Sequence, residues 1–184
     1  MNKTYFVALT LFILALQLNA QKVFTKEAKV SFFSKAPLET IEAQNNSGVS
    51  VINLADGQIE FSVLIKAFQF EKALMQEHFN ENYLESGKFP KAVFKGQLSG
   101  APINSTKDGA TTAKAKGQLT IHGVTKDIIA DVTLNVKGGA LSGTTTFTIA
   151  VADYNIAIPG LVKDKIAKNV DVTVKANYQP LPNN

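Results

Sequence analysis

From about residue 23 onward the chain alternates apolar and polar side chains with a period of two, and this pattern constrains its fold more than any other feature. Ile59, Phe61, Val63, Ile65 and Ala67 alternate with Gln58, Glu60, Ser62, Leu64 and Lys66. Ala130, Val132, Leu134 and Val136 alternate with Asp131, Thr133, Asn135 and Lys137. The same rhythm runs through Leu141–Val151 and through Val170–Tyr178. One apolar face and one wet face is what antiparallel sheets require. Between the runs stand residues that favour tight reversals: Asn45-Asn46-Ser47-Gly48, Asp56-Gly57, Lys107-Asp108-Gly109, His122-Gly123 and Gly138-Gly139. The spacing predicts eight or nine strands, at Val23–Ser34, Leu38–Gln44, Val49–Leu54, Gln58–Phe68, Lys91–Leu98, Thr111–Ile121, Lys126–Val136, Ala140–Val151 and Lys168–Tyr178. Such an all-β chain removes its sheet edges by closing into a barrel.

One segment departs from the rhythm. Glu71–Tyr83 carries Ala73, Leu74, Met75 and Phe79 at helical spacing, and it predicts one short helix in a loop inserted between two long strands. The aromatic residues Phe68, Phe70, Phe79, Tyr83, Phe89 and Phe94 surround that loop. They suit a satellite core beneath it, a lid over the barrel, or both.

The inward positions are small. Ala28, Ala67, Ala92, Gly96, Ala113, Ala115, Gly117, Ala130, Gly143 and Ala176 share the inner face with Phe32, Phe61, Phe94, Leu119, Phe147 and Ile149. Small residues cannot fill the centre of a barrel. Either the walls flatten until they touch, or an apolar void remains, and interiors tolerate few voids without an occupant. A strand running from Gln58 to Phe70 would reach on the order of 40 Å at roughly 3.3 Å per residue, which suits a long thin guest. Composition alone leaves the filled and the hollow barrel equally open.

The first residues read as a targeting segment. Lys3 precedes an apolar run from Tyr5 to Leu18, then Asn19-Ala20, the layout of a secretory signal peptide. Cleavage is expected between Ala20 and Gln21, leaving one domain over residues 21–184. The run is shorter than the ~20 residues a bilayer span needs. The chain has no Cys, so neither lipidation at cysteine, nor disulfides, nor thiolate metal sites are available. The formal net charge is +4, and loss of Lys3 leaves +3. Every basic residue is a lysine; the absence of Arg and of clustering argues against nucleic-acid recognition. The weak positive balance leaves room for transient contact with anionic membrane surfaces. Oligomeric state is not readable here.

Chemistry has little to work with. The two histidines are His78, in the helical segment, and His122, in the turn Thr120–Lys126. No second metal ligand stands at suitable spacing, no serine occupies a strand-to-helix elbow, and no glycine-rich loop precedes a helix. Glu77, Glu81 and Glu85 recur every fourth residue, either as a solvated face or as paired carboxylates. The residues therefore point to a binding protein without catalytic residues, metal or cofactor. An envelope interaction or stress protein with a filled barrel is the second reading, and a lipid-acting enzyme using His78 or these glutamates the third.

Three segments carry a resemblance. Lys72–Ser86 with His78-Phe79 and Tyr83, Lys88–Gly96 with Lys88-Phe89-Pro90 and Phe94, and Gly117–Lys126 with Thr120-Ile121-His122-Gly123-Val124-Thr125 resemble the YceI-like family, most of all its compact Bacteroidetes-type branch. The resemblance implies an extended, lipocalin-like antiparallel barrel, a periplasmic home, and a long apolar ligand in the interior, such as a polyisoprenoid, quinone or fatty-acyl chain. By position it implies a ligand-binding lining of Phe61, Ile65, Phe79, Phe89, Phe94, Leu119, Phe147 and Ile149. His122 falls on the family's hairpin turn, where a structural role is expected. The chain departs from the family's Arg-x-Asp-Phe-Gly-Ile, carrying Val151, Asp153, Tyr154, Asn155 and Ile156 there. If that Arg holds a polar head group, this chain prefers a different head or none.

Overall fold

The computed structural model describes residues 22–100 and 107–182; the expected signal peptide lies outside them. Nine strands form one antiparallel sheet: β1 (Lys22–Lys35), β2 (Thr40–Asn53), β3 (Gln58–Leu64), β4 (Gln69–Phe70), β5 (Lys91–Gly100), β6 (Gly109–Ile121), β7 (Val124–Lys137), β8 (Ala140–Ala150) and β9 (Asn169–Pro180). The order β1-β9-β8-β7-β6-β5-β3-β2 is closed by pairing of β1 with β2, so eight strands make a barrel. The ninth, β4, adds two residues to β2 beyond the end of β3. The expected all-β barrel with one short helix, α1 (Ala73–His78), is the observed architecture.

Two boundaries differ from expectation, each for a local reason. Asn45–Gly48 is not a reversal, and the two strands expected on either side of it are one strand, β2. The Asn45 side chain accepts from the Ser47 N–H at 2.9 Å and donates to the Leu64 carbonyl at 2.9 Å. The turn-forming chemistry is spent on a bulge, where the register against β1 shifts around Ala28. Gly48 serves a close approach: a Cβ there would lie 2.9 Å from the Ala28 carbonyl oxygen.

The second difference is in the strand expected over Gln58–Phe68. It breaks at Leu64 into a 3₁₀ turn, Ile65–Ala67, that shifts the inward parity by one. Ile65 still points in, but Phe68 and Phe70 replace Ala67 on the inner face.

The two ends of the barrel are unlike. The β1–β2 turn, the insertion 65–90, the His122-Gly123 hairpin and the irregular 151–168 segment all leave from one end. At the other end sit the Asp56-Gly57 and Gly138-Gly139 turns, both with left-handed glycines. Residues 22 and 181 are there too, where the Leu181 N–H donates to the Lys22 carbonyl at 2.9 Å. Val23, Leu98, Ala113, Val136 and Leu141 are buried at this second end and pack it shut. On the barrel wall, Gly96 and Gly117 face each other across β5 and β6. A Cβ on Gly117 would strike the Lys95 carbonyl and Gly96 Cα, so only glycine permits this approach.

Candidate functional site

The barrel is hollow. It holds a cavity of about 570 Å³, inside the range of roughly 300–1,000 Å³ typical of small-molecule sites. The walls alternate bulky and small residues as the strands' period dictates: Phe61 and Val63 on β3, Ala92 and Phe94 on β5, Ala115 and Leu119 on β6, Ala130, Val132 and Leu134 on β7, Gly143, Phe147 and Ile149 on β8, Val172, Val174 and Ala176 on β9. Ala115 and Ala130 are direct cross-strand partners, and their small side chains keep that flank open. The cavity does not run the full strand length. The lining stops short of the packed second end, so the cavity is a cup.

Polar groups are few, and apart from Thr144 and Thr145 on β8 they sit at the two extremes. At the floor, the Tyr178 hydroxyl donates to Ser50 Oγ at 3.1 Å, and Ser50 in turn donates to the Glu60 carbonyl at 3.0 Å. Burial pushes the Tyr178 phenol above its ordinary value. At the mouth, Glu39, Lys72, His78 and Lys165 border the opening, with Leu74, Met75, Val162 and Ile166. Lys72 Nζ meets Glu39 Oε1 at 3.3 Å, joining the start of α1 to the β1–β2 turn.

The insertion forms a partial roof. Beyond α1 the chain makes a π-turn, Phe79–Tyr83, that drops Phe79 inward. The Phe79 ring stacks on Phe32 at 5.5 Å and meets Phe70 at 5.0 Å and Phe68 at 5.6 Å. This four-ring cluster sits on the cavity wall just under α1. The Phe70 N–H donates to Gln76 Oε1 at 3.2 Å, a polar tie between β4 and α1.

A second attachment lies outside the cavity. His122 Nε2 is 2.7 Å from Glu85 Oε2, and Nδ1 is 3.1 Å from the Tyr154 carbonyl. Phe89 stacks edge-on against the His122 ring at 4.7 Å. The arrangement clips the insertion to the 151–168 segment. It gives His122 a structural setting, as its hairpin position suggests. It also separates Glu85 from Glu77 and Glu81, so the three glutamates do not gather on one helical face. Asn155, where the family carries Gly, adopts φ 55°, a left-handed conformation that Asn tolerates.

Seven of the eight residues expected at the lining are on the cavity wall: Phe61, Ile65, Phe79, Phe94, Leu119, Phe147 and Ile149. Phe89 is not; it belongs to the His122 clip. Sequence reasoning missed Phe68 and Phe70, hidden by the parity shift, and Ile156, Ile158, Val162 and Ile166, which stand on irregular backbone with no period to read. Among the described residues, no group of three or more His, Asp or Glu is arranged to hold a metal ion. No described helix is long and apolar enough to cross a membrane.

A closed antiparallel barrel with an apolar cup open at one end defines the lipocalin-like class of architecture. Within it, residues 21–178 match the YceI-like domain model, and the chain belongs to that family. Solved structures with the same fold include a polyisoprenoid-binding domain from Saccharophagus degradans implicated in plant cell wall breakdown. That domain has a TM-score of 0.74 at 12% identity, over 89% of this chain and 100% of that one. Burkholderia cenocepacia BcnA gives 0.69 at 17% identity, over 83% and 96%. Among curated relatives, a UPF0312 protein of Pseudomonas fluorescens is 33% identical over 84 residues, 45% of this chain and 42% of that one. Another from Pseudomonas syringae pv. tomato is 30% identical over 102 residues, 51% and 48%. The matched stretch spans about half or less of these curated relatives.

Proposed function

We propose that this protein is a periplasmic binding or carrier protein that encloses a long apolar chain, of polyisoprenoid, quinone or fatty-acyl type, inside its barrel. The single observation that carries this reading is the apolar cup of about 570 Å³, whose polar lining is confined to its floor, its rim and two threonines of β8. An empty cavity of that size forfeits dispersion contacts that a close-packed interior would have, and an apolar guest restores them. Binding is reversible and needs no covalent step. The family membership and the polyisoprenoid-binding domain with the same fold support a binding role over an enzymatic one. The hollow interior disfavours the filled-barrel interaction protein.

Filling the cup tests the proposal. Ala130→Phe, alone and with Ala115→Phe, places rings in the open flank. Native mass spectrometry after incubation with a linear isoprenoid should show a one-to-one adduct for the parent protein and at least tenfold weaker uptake for the filled variants. Thr133→Phe, on the outer face of the same strand, serves as the control and should bind like the parent. No uptake by the parent protein, or equal uptake by all variants, overturns the carrier reading.

A further inference from the structure

Three of the four exposed leucines among the described residues stand on segments at the mouth end of the barrel. Leu161 is 98% exposed, Leu38 72% and Leu74 60%. They come from three separate segments that the structure ties together. The Leu38 N–H donates to the Asp164 carbonyl at 2.9 Å, joining the β1–β2 turn to the 159–168 loop. The Ala167 N–H donates to Ser34 Oγ at 3.0 Å and ties the same loop to the end of β1. The Lys72–Glu39 ion pair brings α1 to the other side of that turn. Around Leu38 and Leu161 stand Lys35, Lys163, Lys165 and Lys168, all exposed. The carboxylates of these two segments are Glu39, already paired with Lys72, and Asp164. The rim on this side is therefore apolar at its tips and positive at its shoulders.

Isolated exposed leucines are common on soluble proteins, but a group of them beside the opening of an apolar cavity is not. A protein partner that adds a strand would use the upper stretch of β7, which has no β8 partner above Val132, and not these leucines, which stand on other segments. Nor do the leucines line a groove that would seat a helix. Separate apolar tips flanked by lysines match an interface whose inner layer is hydrocarbon and whose outer layer is anionic.

We propose that the β1–β2 turn and the 159–168 loop seat on an anionic lipid bilayer, with Leu38 and Leu161 entering the interface and Lys35, Lys163 and Lys168 facing the head groups. The cavity mouth then opens onto the membrane, and an apolar chain moves between bilayer and barrel without crossing water. The purpose of this docking rests on the carrier reading, but its detection does not.

The experiment is vesicle flotation. Protein recovered after export, with removal of residues 1–20 checked by intact mass, is mixed with vesicles of phosphatidylcholine alone or of equal parts phosphatidylcholine and phosphatidylglycerol. The parent protein should float with the anionic vesicles and release as salt is raised. Leu161→Asp should weaken binding about tenfold, since it replaces a buried leucine contact with a charge. Lys163→Gln should weaken it roughly fivefold. Neither residue lines the cavity, so both variants should keep the isoprenoid adduct in native mass spectrometry. Failure of the parent protein to float, or unchanged flotation of Leu161→Asp, overturns the docking proposal. Flotation by a parent protein that takes up no isoprenoid supports docking while removing the carrier reading, which keeps the two failures distinct.

Discussion

Tyr178 reaches across the floor of the cup to Ser50, and its phenol stays neutral because burial disfavours the charged form. A phenol whose folded-state pKa is raised contributes stability that is complete below its unfolded value of about 10 and is lost as pH climbs through the folded value. Alkaline denaturation should therefore be shallower for Tyr178→Phe than for the parent. Near neutral pH that variant should lose about 1 kcal/mol, the worth of one hydrogen bond, because Ser50 still has the Glu60 carbonyl to donate to. Urea unfolding followed at neutral and alkaline pH checks both parts. This residue was legible as an inward position from its alternation, but its bond to Ser50 was not. The partner lies two strands away around the barrel, and no local pattern records such a pairing. Asn45 shows the opposite case: its residue type announced a turn, and only the Leu64 carbonyl, supplied by a distant segment, turned that chemistry into a bulge.

The insertion between β4 and β5 is held by aromatic packing on one side and by the His122 clip on the other. Phe79→Ala should remove the centre of the four-ring cluster while leaving Glu85 bound to His122. Phe79 is only half-buried, so the cost should be about 2 kcal/mol, below the usual range for a buried phenylalanine. Loss of the roof should also speed ligand release severalfold, which stopped-flow displacement with a fluorescent chain would measure. The helix and its aromatic setting were readable, because Leu74, Met75 and Phe79 carry helical spacing. The assignment of rings to places was not. Phe32 joined the cluster from β1, Phe89 left it for His122, and the 3₁₀ turn at Ile65–Ala67 moved Phe68 and Phe70 inward. A break of one residue in a period-two pattern reverses every face after it, and nothing in the alternation of Gln58–Lys66 foretells where it falls.

At the scale of the whole molecule the barrel was the most legible feature, since nearly every strand repeats the same signal and closure removes the sheet edges. The depth of the cavity was not, because it depends on how five side chains pack at the closed end. That depth sets a chain-length rule. Affinity for a series of linear isoprenoid or acyl chains should rise by about 0.8 kcal/mol per buried methylene and level off once the chain fills the cup. Longer chains leave the surplus in the mouth. A calorimetric or fluorescence titration across the series measures the break point, and affinity that keeps rising well beyond it would show that the closed end yields.

Both chain termini of the barrel meet at the pole farthest from the opening, where Lys22 and Leu181 are hydrogen-bonded to each other. A tether, reporter or neighbouring module joined at either end would hang from that pole and leave the entrance unobstructed. The same pole offers a handle for immobilising the molecule on a surface with its entrance facing outward.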